Sequence, residues 1–113
     1  MILTIGNREL TLRFGLGFLQ EMNKRNSAEF EGVSTGYGSM ALLSAGYALR
    51  DPQAFIDLVR AATAHLPRKP SDIELEEYIE DLITSDKYDE TFDAIFEEVK
   101  KSPLLKKAMQ MKA

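Results

Sequence analysis

The chain contains no cysteine and no tryptophan, a single histidine, His65, and four prolines in 113 residues. Without cysteine there are no disulfides and no thiolate zinc sites, and one imidazole cannot make a histidine cluster. A membrane span needs about eighteen or more consecutive apolar residues, and no such run exists. The opening MILTIGNREL carries no basic region ahead of an apolar one. Neither a span nor a secretion signal is therefore expected, and a soluble protein is. Glycine is missing from Asp72 to Glu98, where acidic side chains are densest. A calcium loop needs aspartate or asparagine at alternating positions around a central glycine, so none is expected there. No metal and no cofactor is implied.

What is present fits one domain spanning residues 1–113. The chain is 44% hydrophobic, enough for a packed core at this length. Its net charge of −4 is unevenly spread. Asp72 to Glu98 holds twelve acidic residues against Lys87 alone, whereas Lys100, Lys101, Lys106, Lys107 and Lys112 make the end of the chain basic. An acidic surface of this size repels nucleic acid, so no nucleic-acid partner is expected.

Asp51 to Leu66 is the clearest helix and the one around which the rest is organised. Asp51 caps its first turn, Pro52 stands where a missing N–H does no harm, and Pro67 is expected to close it at Leu66. Phe55, Leu58, Val59, Ala62 and Leu66 share one face, and Ala54, Ala61 and Ala64 keep the cylinder slim. Before it, residues 1–14 read as a β-hairpin around a Gly6-Asn7 turn, with Leu3 opposite Leu10. A lone hairpin is barely stable, so its apolar face must lie on helices or on another chain. Its unpaired edges suit sheet extension between subunits, while the alternative is a hairpin that caps the helical core.

Further helices are expected over 16–25, 39–50, 72–83 and 86–101. Ala28 to Gly32 shows no period and reads as a loop. The glycine-rich run GVSTGYGS lacks the Gly-Lys-Ser/Thr ending of a phosphate-binding loop, since Gly38-Ser39 is followed by Met40. Ser71-Asp72-Ile73-Glu74 has the form of a capping box. Leu75, Tyr78, Ile79, Leu82 and Ile83, then Tyr88, Phe92, Ile95, Phe96 and Val99, give two amphipathic stripes with acidic outer faces. Like-charged pairs such as Glu76 with Glu80 cost a few tenths of a kcal/mol each, against about 1.5–3 kcal/mol for burying one large apolar side chain. Residues 102–113 form a basic tail in which Pro103 can start another short helix. The fold class is mainly α: an N-terminal β-hairpin followed by a compact bundle of about five helices.

Little here suggests catalysis. His65 has the pKa range for acid–base work, but spacing ties no nucleophile or orienting carboxylate to it. It reads as a packed or helix-capping residue, in a last turn whose dipole favours the protonated ring. The carboxylates from Asp72 to Glu98 lie mostly opposite the apolar stripes, where nothing raises the pKa of one member of a pair. No enzyme is expected.

Several pieces, taken together and in order, resemble the tail assembly chaperones of long-tailed bacteriophages, the siphophages and prophages of Gram-positive hosts. They are the hairpin leading into Phe14-Gly15 and Phe18, Asp51-Pro52, Ala61-Ala62-Thr63-Ala64-His65-Leu66, Pro70, Glu77-Tyr78-Ile79, Phe92 with Phe96, and Lys101-Ser102-Pro103-Leu104. The resemblance implies a small helical protein of the host bacterial cytoplasm. It would bind the tape measure protein, keep it soluble, help recruit the major tail tube protein, and be absent from the mature virion. It also implies that a longer isoform can arise by frameshifting, and it brings no catalytic residues.

The candidate partner-binding residues are Leu10 and Leu12 on the hairpin face, with Leu105 and Met109 in the tail, because each pair joins apolar character to a peripheral position. The acidic segment of one copy is expected to attract the basic tail of another, giving a homo-oligomer that weakens in salt. A generic helical protein-binding adaptor from a phage or mobile element is the alternative function, and a small hydrolase using His65 ranks last.

Overall fold

The Gly6-Asn7 turn sets the first element. In the computed structural model, which describes residues 1–25, 28–30, 33–35 and 38–109, β1 (Ile2–Ile5) pairs antiparallel with β2 (Arg8–Thr11). Leu3 stands opposite Leu10, the expected register. Gly6 and Asn7 have φ of 59° and 62°, the positive pair that a two-residue primed turn requires. Alternation sends Leu3, Ile5, Leu10 and the following Leu12 to the buried side. β1 lies against the fourth helix, so the hairpin covers the helical core.

Six helices follow: α1 (Leu16–Arg25), α2 (Ser39–Ala48), α3 (Pro52–Ala62), α4 (Asp72–Thr84), α5 (Tyr88–Lys101) and α6 (Pro103–Met109). α3 is central, as its two-sided apolar pattern requires. It packs on α1 and α2, and Phe55 reaches the rings of Tyr78 on α4 and of Tyr88 and Phe92 on α5. Its start is as expected, with Asp51 accepting from the Gln53 amide at 3.0 Å and Pro52 in the first turn. α2 and α3 cross closely at Gly46, where a Cβ would lie 2.5 Å from that of Ala54. The capping box of α4 is also present. Glu74 does more than close it, because its carboxylate also accepts from Arg8 at 3.0 Å and so ties β2 to the head of α4.

Four elements depart from the sequence reading. α3 ends at Ala62 rather than Leu66, because the Ala62 carbonyl accepts from the Arg13 amide at 2.9 Å, and the Thr63 hydroxyl donates to Val59 O at 2.8 Å. A strand exit takes the carbonyl that the next helical turn would have used. Ala28–Phe30, in the stretch expected to be a loop, and Val33–Thr35, in the glycine-rich run, form a second antiparallel pair, β3 and β4. Three-residue strands are too short to show alternation. The remaining residues of the 26–37 stretch, and so part of the glycine-rich run, lie outside the described residues.

The third departure is the docking of α6, a short helix that Pro103 was expected to be able to start. The expected basic tail is a helix over Pro103–Met109 that packs on α5 and α2 and buries Leu105 completely, with the Leu105 amide donating to Ser102 Oγ at 3.4 Å. Residues 110–113 lie outside the described residues. The fourth concerns helix ends. The helix expected over 86–101 starts at Tyr88, because Asp86, with φ of 61°, closes α4, the amides of Asp86 and Lys87 donating to the Ile83 and Leu82 carbonyls. Arg50, with φ of 57°, closes α2 in the same way through the Tyr47 and Gly46 carbonyls. Both are Schellman ends without glycine, so the usual signal was missing.

Asp93 anchors the α2–α5 seam. It accepts from the Tyr47 hydroxyl and, at 2.7 Å, from the Arg50 guanidinium, while Tyr47 stacks on Phe96 with centroids 4.0 Å apart. The Tyr47 hydrogen bond, then that of Arg50, holds the Asp93 carboxyl below its ordinary pKa. A depressed folded-state pKa gives stability that is present above the unfolded value and is lost as pH falls through the folded one. Asp93→Asn is therefore expected to flatten the decline of stability below about pH 4. Urea midpoints across an acid pH series, compared with the parent chain, check this; identical slopes would sink it.

Candidate protein-binding surface

The expected contact residues are mostly interior. Leu10 and Leu12 are buried under the hairpin, Leu105 is buried under α6, and Met109 is half-buried against the same core. In this conformation the three leucines are not available to a partner, because the apolar face of each peripheral element is satisfied by its own chain. The outward side chains on those elements are Ile2 on β1, 57% exposed, and Leu104 on α6, 43% exposed. Spacing groups Leu105 with Met109 on one side of α6, but does not say whether that side meets the body or a partner.

A groove of about 610 Å³ lies between α1 and the end of α3. The bond from Arg13 N to Ala62 O brings the strand exit onto α3, and Gly15 and Gly17 leave open space at the first turn of α1. Phe14 and Phe18, with centroids 5.4 Å apart, form one wall, and Ala61 and Ala64 keep the opposite side shallow. Leu16 stands at the rim, 59% exposed. The polar groups around it are Arg13, Gln20, Glu21 and His65. Glu21 is bridged to Lys24 at 3.0 Å and Arg25 at 3.8 Å. No carboxylate is paired with Arg13 among the described residues, so the rim beside the apolar floor is cationic.

His65 sits in the turn after α3, not in its last helical turn. Partial burial lowers its pKa first, and Arg13 lowers it further, against opposing contributions from the backbone at Ala62 and Thr11; Lys69 adds to the lowering. This reverses the expectation from the helix dipole, because the helix stops three residues earlier and the charges facing the ring are cations. With two cations acting on it, the ring has no orienting acid of the kind a hydrolytic base uses. Among the described residues no group of three or more carboxylate or imidazole side chains could hold a metal ion, and no helix is long and apolar enough to cross a membrane.

A second groove, of about 300 Å³, runs between α2 and α3. Leu42, Ala45 and Leu49 edge it on α2, with Ala54, Asp51, Gln53 and Asp57 across from them. The outer surface of α4 and the start of α5 is strongly acidic. Glu76, Glu77, Glu80, Asp81, Asp86 and Glu90 have no salt-bridge partner among the described residues, and Ile73 and Ile83 stand exposed beside them on α4. The cations that could offset them are partly engaged: Lys100 bridges Glu97 at 2.9 Å and Lys101 bridges Glu98 at 2.8 Å, both within α5.

Comparison with known proteins bears on what such surfaces serve. The family model described as phage tail assembly chaperone protein, TAC, matches residues 2–112, nearly the whole chain. No curated relative and no solved structure matches it.

Proposed function

Because the chain belongs to the phage tail assembly chaperone family, we propose that it binds the tape measure protein, keeps that long chain soluble, and helps recruit tail tube subunits around it. A tape measure chain is long and largely helical, so recognition takes the form of an apolar helix face laid into a groove. The observation that carries this reading is the α1–α3 groove, with its aromatic wall, alanine floor, exposed Leu16 and cationic rim. Such a site takes apolar side chains and favours acidic residues flanking them. Ile2 and Leu104 extend the apolar surface at the periphery, held in place by buried Leu10, Leu12 and Leu105. The work is done in the host bacterial cytoplasm by binding alone, without a cofactor and without a catalytic step, and the protein leaves before the tail is complete.

Co-expression with the tape measure protein of the same genome tests both the function and the groove. The parent chain is expected to bring the tape measure protein into the soluble fraction and to co-purify with it. Leu16→Glu, at an exposed position in a helix first turn where an acid is tolerated, is expected to fold normally. It removes an apolar contact worth about 1.5–3 kcal/mol, so co-purification falls by roughly tenfold or more. A tape measure protein that stays insoluble with the folded parent chain sinks the function. Unchanged capture by the Leu16→Glu variant sinks the groove as its site.

A further inference from the structure

The β1–β2 hairpin stands alone as a two-stranded sheet, so each strand has an edge that no third strand covers. Met1 O accepts from the Leu12 amide at 2.8 Å, and bonded pairs alternate along an antiparallel ladder. Leu3 with Leu10 and Ile5 with Arg8 therefore exchange the remaining bonds, and the N–H and C=O groups of Ile2 and Thr4 point away from β2. The same alternation turns Thr11 and Arg13 outward on the other side, but that edge is occupied: the Arg13 amide donates to Ala62 O, and the Thr11 carbonyl faces the His65 ring. β1 has no such cover. Among the described residues neither Ile2 nor Thr4 makes a backbone bond outside the hairpin. Edge strands are ordinarily blunted by a charge, a proline or a bulge, and ILTI carries none of these. Beside β1 runs α4, with a groove of about 280 Å³ between them. Thr4, Gly6 and Asn7 line one side, and Glu77, Tyr78 and Asp81 the other. Glu74, held by Arg8, packs against Gly6 and closes the turn end.

We propose that this groove takes an extended segment of a partner polypeptide, which adds to β1 as a third strand and sets lysine or arginine side chains against Glu77 and Asp81. Backbone bonds to Ile2 and Thr4 supply an attachment that any sequence can use, so side chains must supply the choice. Charge makes that choice. Glu77 and Asp81 have no salt-bridge partner among the described residues, and Glu76 and Glu80 on the same helix extend the negative field. Side chains of an added strand alternate between its faces, so cations at every second position meet the acids, while the partly buried Tyr78 ring offers an apolar contact beside them. A second copy pairing edge to edge would carry its own α4 to the junction and bring the acids towards their image, which charge opposes. An acidic or neutral segment gains nothing from the acid row. The groove shares no lining residue with the α1–α3 groove, so this site is separate from the proposed tape measure site and of opposite charge.

Fluorescence anisotropy with the full chain and a short labelled peptide alternating lysine and valine is the test. The parent chain is expected to bind it, less tightly as salt rises, while the same peptide with glutamate in place of lysine does not bind. Methylating alternate backbone nitrogens of the peptide keeps its charge and removes strand bonds. Of the two possible sets, the one facing β1 should weaken binding by about thirtyfold, the worth of two such bonds. Glu77→Gln combined with Asp81→Asn, both at exposed positions, is expected to weaken it by about fivefold through two lost ion pairs. Thr4→Pro removes an amide that points into the groove and not towards β2, and should cost about tenfold or more with an unchanged circular dichroism spectrum. Should that variant fail to fold, the methylated peptides read the same bonds on the parent chain. No binding by the parent, equal binding of the glutamate peptide, unchanged binding by the Glu77 and Asp81 double variant, or methylated peptides of both sets that bind like the unmodified one would each overturn the proposal. A parent chain that dimerises, and loses the dimer in Thr4→Pro, would also overturn it, in favour of a second copy at this edge. Capture of the tape measure protein is read separately, so either reading can fail without the other.

Discussion

Phe55→Ala is expected to lower the unfolding free energy by about 3–5 kcal/mol, a large part of the roughly 5–15 kcal/mol that holds a domain of this size together. The ring is almost completely buried in the middle of α3, with Phe92, Tyr88 and Tyr78 at centroid distances of 5.0, 5.4 and 6.4 Å. Those three rings come from α4 and α5, so Phe55 links the central helix to the C-terminal half. Alanine removes the transfer free energy and leaves a cavity that rigid aromatic neighbours cannot close. Chemical denaturation should show a lower midpoint with an unchanged slope. A loss below about 1 kcal/mol would mean that the aromatic cluster collapses around the gap, and the central role given to Phe55 would be wrong.

Leu105→Ala should cost about 2–5 kcal/mol, whereas Leu104→Ala should change stability by about 0.5 kcal/mol or less. The two residues are neighbours of identical chemistry. Leu105 is 0% exposed beneath α6 and Leu104 is 43% exposed above it. The contrast decides whether α6 is part of the folded body or a peripheral arm, and it does so without any partner present. If both substitutions proved mild, α6 would be docked only weakly, and Leu105 would return as a candidate contact residue. If Leu105→Ala unfolds the chain, urea midpoints of Leu105→Val and Leu105→Met, smaller changes of volume, grade the same contact.

Much of the architecture was readable because it rests on local chemistry. Gly6-Asn7 sets the hairpin turn and with it the pairing of Leu3 and Leu10. Asp51-Pro52 and Ser71 with Glu74 mark the heads of α3 and α4 through bonds within one turn. The apolar stripes of α4 and α5 survive their acidic outer faces for the reason sequence arithmetic supplies, that burial outweighs like-charge repulsion between neighbours on an exposed face. What stayed hidden depends on contacts distant in sequence. Arg8 reaching Glu74, Tyr47 and Arg50 sharing Asp93, and Arg13 taking the Ala62 carbonyl connect residues with no pattern linking them. Arg50 and Asp86 at the ends of α2 and α4 lacked the glycine that would have marked them.

The candidate surfaces divide along the same line. Composition and spacing indicated which residues were apolar, but not which of them the chain would cover with itself. Leu10, Leu12 and Leu105 look as available as Leu16, Leu42 and Leu49 when read along the chain, and they are buried because the hairpin lies on α4 and α6 on α5 and α2. By itself the sequence determined the mainly helical class, the heads of α3 and α4, the hairpin register, the uneven charge and the family likeness, all of which arise from neighbours within a few residues. Only the tertiary structure decided where α3 stops, how α6 docks and which leucines remain in contact with water, because each of those outcomes is a competition for the same core between segments far apart in the chain.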